Sequence, residues 1–67
     1  MEYPIYFKNG LTVRELKKII KDWDEEYPNG ELTTVWISGE NGQSNDVESI
    51  WRLNVRENGI SDILFEI

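Results

Sequence analysis

The chain has 67 residues, of which 39% are hydrophobic and 12% aromatic, and it contains neither cysteine nor histidine. A chain this short builds one small core, and without those two residue types it has no thiol nucleophile, imidazole base, disulfide or usual zinc ligand. Seven basic against 13 acidic side chains give a formal net charge of -6, which opposes binding to nucleic acid. We therefore expect a single small domain over residues 1–67 that is not an enzyme and acts by binding.

The charge is unevenly divided along the chain. Residues 1–21 carry five basic and two acidic side chains, a balance of +3, whereas residues 22–67 carry two basic and eleven acidic ones, a balance of -9. The sequence shows neither a charged-then-apolar leader nor an apolar run of about 18 residues. These features predict a cytoplasmic protein, away from membranes, with an electrically two-sided surface.

Asparagine-glycine pairs divide the chain into its predicted elements. Four of the five glycines follow an asparagine, and this dipeptide tolerates the positive backbone torsions that turns require. Before the first pair, alternating side chains over residues 3–8 predict a strand. Pro4 lacks an amide donor, which suits either an edge strand or the first residues of a strand.

Residues 11–23 form the only predicted helix. Thr12 acts as its N-cap with Glu15 three residues later, a pairing that satisfies two free amides at the helix start. Apolar residues recur at spacings of three and four, which predicts one stripe that packs on a sheet. The stripe consists of Val13, Leu16, Ile19, Ile20 and Trp23.

Three further strands are predicted over residues 32–38, 48–56 and 60–67. The last two strands meet at an asparagine-glycine pair, and paired residues of an antiparallel hairpin share a face. A two-residue loop would place polar side chains of one strand opposite apolar side chains of the other. A three-residue loop over 57–59 instead pairs Trp51 with Phe65 and Leu53 with Ile63. We therefore predict the three-residue loop, with Trp51 and Leu53 in the core.

The predicted fold class is α+β, with the elements in the order βαβββ. One helix packs on one face of a mostly antiparallel four-stranded sheet, which gives two layers. Between the second and third strands lies a polar loop, residues 39–46, which is either a contact loop or a flexible connection without a partner.

The sheet face turned away from the helix carries the candidate binding residues. Alternation places four large apolar groups and two arginines there, although an open antiparallel face is normally polar. Tryptophan beside arginine is a pairing enriched at binding hot spots. The predicted partner-binding residues are Tyr6, Trp36, Ile50, Arg52, Arg56 and Leu64. The alternative is that these side chains are scattered, or that arginine stacking covers the tryptophan.

Two charged clusters are further candidate sites. The acidic cluster after the helix consists of Asp22, Asp24, Glu25 and Glu26. Its spacing matches no calcium loop, so it indicates a solvated helix end, and we expect no metal and no cofactor. The basic cluster lines the outer face of the helix and consists of Arg14, Lys17, Lys18 and Lys21. It is an ordinary charged face or a docking surface for an acidic partner or phosphates.

The helix start resembles that of a group of phage proteins. The run Leu-Thr-Val-Arg-Glu-Leu at residues 11–16, the acidic proline-bearing turn after the helix and the strand Val-Trp-Ile at residues 35–37 are similar to segments of small uncharacterised proteins carried by bacteriophages and other mobile elements. A weaker similarity continues through residues 49–54. The resemblance covers residues 11–37 and implies no residue roles, because that group has no established activity.

Three functions follow as hypotheses. The resemblance implies a phage-encoded inhibitor that works in the host cytoplasm and blocks a host defence protein, as anti-CRISPR proteins do. The alternative, from another class, is a homo-oligomeric protein that binds a small ligand at the aromatic sheet face. A weak nucleic-acid module that uses the basic helix face is disfavoured by the net charge.

Overall fold

The computed structural model describes residues 2–39 and 46–67, so most of the predicted polar loop 39–46 lies outside the described residues. The elements in these ranges are β1 (Ile5–Tyr6), α1 (Val13–Lys21), β2 (Val35–Ser38), β3 (Ser49–Leu53) and β4 (Asp62–Glu66). The predicted α+β class and the order βαβββ are confirmed. No helix within this part of the chain is long and apolar enough to cross a bilayer.

The four strands form one mixed sheet in the order β1-β3-β4-β2. β3 is antiparallel to both of its neighbours, whereas β2 is parallel to β4. β1 and β2 therefore lie at opposite edges of the sheet. The connection between them crosses the sheet and contains the helix, because a crossover requires a longer segment than a hairpin turn. The sheet is mostly antiparallel, as predicted, but not entirely so.

The helix begins as the sequence predicts and is only partly covered. The Thr12 hydroxyl accepts a hydrogen bond from the Glu15 amide at 3.1 Å, and the Glu15 carboxylate accepts one from the Thr12 amide at 3.2 Å, which completes the capping box. Ile19 is buried, but Val13 and Ile20 from the predicted stripe are exposed. The helix therefore buries a narrower apolar surface than its sequence pattern offers.

Three isoleucines, Ile19 from α1, Ile50 from β3 and Ile63 from β4, form the buried core. The partly buried hydrophobic residues that pack around them are Tyr3, Ile5, Phe7, Leu11, Trp23, Val47 and Phe65. Because Ile50 is fully buried, its predicted place on the outer sheet face is wrong.

The register between β3 and β4 differs from the predicted one by one residue. The loop over 57–59 closes as expected, since the Arg56 amide donates to the Ile60 carbonyl at 3.0 Å. Further along, however, Trp51 lies opposite Leu64 and not opposite Phe65. Between the loop and Trp51, the segment on the β3 side contains one more residue than the segment opposite it on the β4 side. Asn54 lies in the longer segment and has a φ of +57°, as at a β-bulge.

This shift exchanges the two faces of β3. Trp51 and Leu53, predicted for the core, lie on the face away from the helix, and Arg52 lies on the helix side opposite Ile63. Arg52 is tolerated there because its guanidinium carbon lies 5.0 Å from the ring centroids of both Tyr3 and Trp23. Its nitrogen donates to the Gly59 carbonyl at 2.9 Å and to the Ser61 hydroxyl at 3.1 Å.

Candidate functional site

A row of large side chains crosses the sheet on the face away from the helix. Leu64 on β4 lies between Trp36 on β2 and Trp51 on β3 in the strand register. The Tyr6 ring of β1 meets the Trp51 ring edge to face, with centroids 6.1 Å apart. We call Tyr6, Trp51, Leu64 and Trp36 the aromatic row. It takes one residue from each of the four strands.

Three of the six predicted binding residues, Tyr6, Trp36 and Leu64, belong to the aromatic row. The other three do not: Ile50 is in the core and Arg52 is on the opposite face. Arg56 lies beyond the end of β3, where its guanidinium carbon is 4.1 Å from the Tyr27 ring centroid. It also pairs with the Glu31 carboxylate at 3.6 Å. Trp51 is the row member that the sequence pattern missed.

Trp36 presents an exposed ring whose polar atom is already bonded. The side chain is 46% exposed, yet its indole N–H donates to Asp62 at 2.9 Å. A bonded indole holds the ring in one orientation, so less side-chain freedom remains to be lost when a partner packs against it. Trp36 therefore presents an exposed ring in a fixed orientation.

Asp62 is an almost fully buried carboxylate with hydrogen bonds from four parts of the chain. The donors are the Tyr27 hydroxyl at 2.6 Å, the Thr34 amide at 2.9 Å, the Trp36 indole at 2.9 Å and the Asn54 amide side chain at 3.0 Å. Two oxygens offer about four lone-pair sites, so the acceptor capacity of Asp62 is used. Its role in this arrangement is structural.

The same contacts shift two pKa values in opposite directions. The hydrogen bond from Tyr27 is the main cause that holds the pKa of Asp62 well below its ordinary value, with further help from Asn54, Trp36 and Thr34 against the effect of burial. Burial, followed by the bond to the Asp62 carboxylate, raises the pKa of Tyr27. Asp62 is therefore ionised at neutral pH, and Tyr27 keeps its proton.

A second network fixes Trp51. Its indole N–H donates to the Ser49 hydroxyl at 2.8 Å, and that hydroxyl donates to the Glu66 carboxylate at 2.9 Å. Ser49 is completely buried beneath these side chains. Both tryptophans of the aromatic row thus have satisfied polar atoms, so the surface that they expose is apolar ring.

The two charged clusters remain exposed. All four basic residues of the helix face are exposed, and among residues 2–39 and 46–67 the Arg56–Glu31 contact is the only ion pair. In the same part of the chain no three acidic side chains are grouped as a metal site requires. Both clusters are therefore solvent-exposed charges.

Comparison with protein-family models, with curated proteins and with solved structures found no match for this chain. The resemblance of residues 11–37 to small phage proteins stays a prediction.

Proposed function

We propose that this protein is a small acidic non-catalytic binding module that uses the aromatic row to contact another protein. The observation that carries the proposal is Trp36, an exposed tryptophan whose indole is held by Asp62 at 2.9 Å. Pre-oriented tryptophan and tyrosine side chains contribute large contact areas at low entropic cost and are enriched at hot spots. The absence of cysteine and histidine from the sequence and the saturated Asp62 carboxylate support a role without catalysis.

Within this class we propose an inhibitor of a host defence protein, encoded by a phage and active in the host cytoplasm. The support comes from the resemblance of residues 11–37 to phage proteins and from the charge of -9 over residues 22–67. An acidic surface of this kind can occupy a basic groove that otherwise binds nucleic acid. Anti-CRISPR proteins that block a nucleic-acid site use the same principle.

A second candidate is a homo-oligomer that binds a small ligand between aromatic rows. The observation that favours it is the exposure of all four residues of β2, the edge strand that contributes Trp36 to the row. Joining two copies at this edge would bring two Trp36 rings together. Native mass spectrometry of the purified protein distinguishes this candidate, because a bound small molecule adds mass to an oligomer in the absence of any foreign protein.

Capture of partners from bacterial lysate, read by mass spectrometry, tests the proposed function. The row variant is Tyr6→Ala/Trp36→Ala, and the matched control is Val13→Ala/Leu32→Ala, which truncates two exposed apolar side chains that are not part of the row. We expect wild type and control to enrich the same protein and the row variant to lose it while staying folded by circular dichroism. Equal enrichment by the row variant would refute the aromatic row as the contact surface.

A further inference from the structure

The two edges of the sheet are protected to different degrees. β1 at one edge is only two residues long and follows Pro4, and short strands and prolines are common devices against unwanted strand pairing. β2 at the other edge has neither device. It lies within residues 32–39, which form the longest uncharged run in the sequence. Strand edges are usually blocked by charge, and this one is not.

The outward backbone groups of β2 belong to Val35 and Ile37. The Thr34 and Ser38 carbonyls accept hydrogen bonds from β4 amides, at 3.1 Å from Ile63 and 2.8 Å from Ile67. Successive residues of a strand direct their N–H and C=O groups to opposite sides. Val35 and Ile37 alternate with the residues that face β4, so their N–H and C=O groups face away from it. Among residues 2–39 and 46–67, no backbone hydrogen bond reaches the outward groups of Val35 and Ile37.

Both ends of this open edge are defined. Before it, the Thr33 amide donates to the Glu25 carbonyl at 3.0 Å, so the segment after the helix already occupies that position. Behind it, Gly39 has a φ of +146°, and a side chain there would collide with Ile67, so only glycine fits at this position. The open edge is residues 34–38, with Trp36 at its centre.

We propose that a second copy of this chain pairs with the open edge, antiparallel and related by a two-fold axis at Trp36. Such a pairing maps residues 34–38 onto themselves. Val35 lies opposite the partner's Ile37, and Trp36 lies opposite the partner's Trp36. Each pair formed by Val35 and Ile37 exchanges two hydrogen bonds, which satisfies the outward groups of both copies.

The open edge is self-complementary, which is why we assign it to a second copy, and charge does not oppose the pairing there. The chain carries -6, and its copies repel one another wherever acidic surfaces meet. At the open edge every opposed pair is uncharged, because residues 34–38 are Thr, Val, Trp, Ile and Ser. Aromatic and β-branched pairs across strands are among the stabilising ones. Pairing would also continue the aromatic row from one copy into the other, a consequence that does not depend on the proposed function.

Sedimentation velocity of two lysine variants tests the proposal. Val35 and Val55 are both valines, each is 58% exposed, and lysine at either position changes the net charge equally. We expect wild type to form a dimer at high micromolar concentration, Val35→Lys to weaken it about tenfold or more, and Val55→Lys to leave it within about twofold. A wild type that stays monomeric up to about 1 mM overturns the proposal.

Mixing two variants tests the register. Ile37→Glu, an independent second variant, should also weaken the dimer when alone. In the proposed register a Val35→Lys chain and an Ile37→Glu chain place opposite charges directly across from each other, so the mixture should regain dimer. The control is Val35→Lys mixed with Val55→Glu. Its mixed dimer should be about tenfold weaker than the mixed dimer of Val35→Lys and Ile37→Glu. Dimers that survive both single variants, or an Ile37→Glu mixture no better than the control, overturn the proposed pairing.

Discussion

Asp62 joins four segments of the chain through one carboxylate. Its donors come from the turn after the helix, from the residue before β2, from β2 itself and from the bulge after β3. All four donors need an acceptor, and a carboxylate accepts without donating. The position therefore requires aspartate for its charge and its geometry together.

Asp62→Asn should destabilise the protein although the side chain keeps its size. The new amide group would face donors from Trp36 and Asn54, leaving buried groups without acceptors at a cost of about 1–3 kcal/mol. Urea unfolding measures the loss, with Asp24→Asn as the control because the Asp24 side chain is exposed. Equal stability of Asp62→Asn and wild type would contradict the structural role of the carboxylate.

The two shifted pKa values predict how stability depends on pH. Because the pKa of Asp62 is lowered on folding, its contribution is present above the unfolded value of about 4 and is lost as pH falls from there towards the folded value. Because the pKa of Tyr27 is raised, its contribution is present below about pH 10 and is lost at higher pH. In thermal melts, wild type should have a higher melting temperature than Asp62→Asn at neutral pH, and the difference should shrink as the pH becomes acid. A constant difference between the two proteins would contradict the assignment.

At the level of the elements, local chemistry predicted the helix well. The Thr12 and Glu15 pair and the apolar spacing act within a few residues, so the start of α1 and the order of the elements along the chain could be read from the sequence, whereas the order of the strands in the sheet could not. The loop over 57–59 also depends on neighbouring residues, and its predicted closure is confirmed. Three of the row residues, Tyr6, Trp36 and Leu64, could be placed because the faces of their strands follow from simple alternation.

The faces of β3 could not be predicted, because they depend on two long-range effects. One extra residue at Asn54 shifts the register, and nothing in the residues next to it fixes the bulge. Alternation and the three-residue loop predict an outward Arg52, but Tyr3 and Trp23 come from distant segments to stack on it on the helix side. A useful signal was the serine two residues before Trp51, which supplies the acceptor that an outward indole requires.

A pair of lysine substitutions tests the faces of β3. Ile50→Lys places a charge in the buried core, where the desolvation cost exceeds several kcal/mol and approaches the total stability of a small domain. Trp51→Lys changes a residue on the sheet face away from the helix, where the lysine charge remains in water. We expect Ile50→Lys to be unfolded and Trp51→Lys to melt cooperatively by circular dichroism. The reverse order would mean that the register predicted from the sequence is correct.

At the scale of the whole molecule, the surface is more apolar than the net charge suggests. In the described ranges four hydrophobic side chains are buried, whereas eight large ones are exposed, three of them consecutive in β2. Exposed apolar groups that lie together mark interaction sites more often than scattered ones do. Because the chain also carries a net charge of -6, the proposed partner would be selected by the sign of its charge as well as by its apolar surface.

The indole N–H signals of isotope-labelled protein, recorded by NMR with and without the captured partner, test the aromatic row most directly. The three tryptophans have different bonds: Trp23 donates to the Ser61 carbonyl, Trp36 to Asp62 and Trp51 to Ser49. We predict that the partner shifts or broadens the Trp36 and Trp51 signals and leaves the Trp23 signal in place, because Trp23 lies on the helix side of the sheet. A partner that shifts the Trp23 signal and leaves the other two unchanged would contradict binding through the aromatic row.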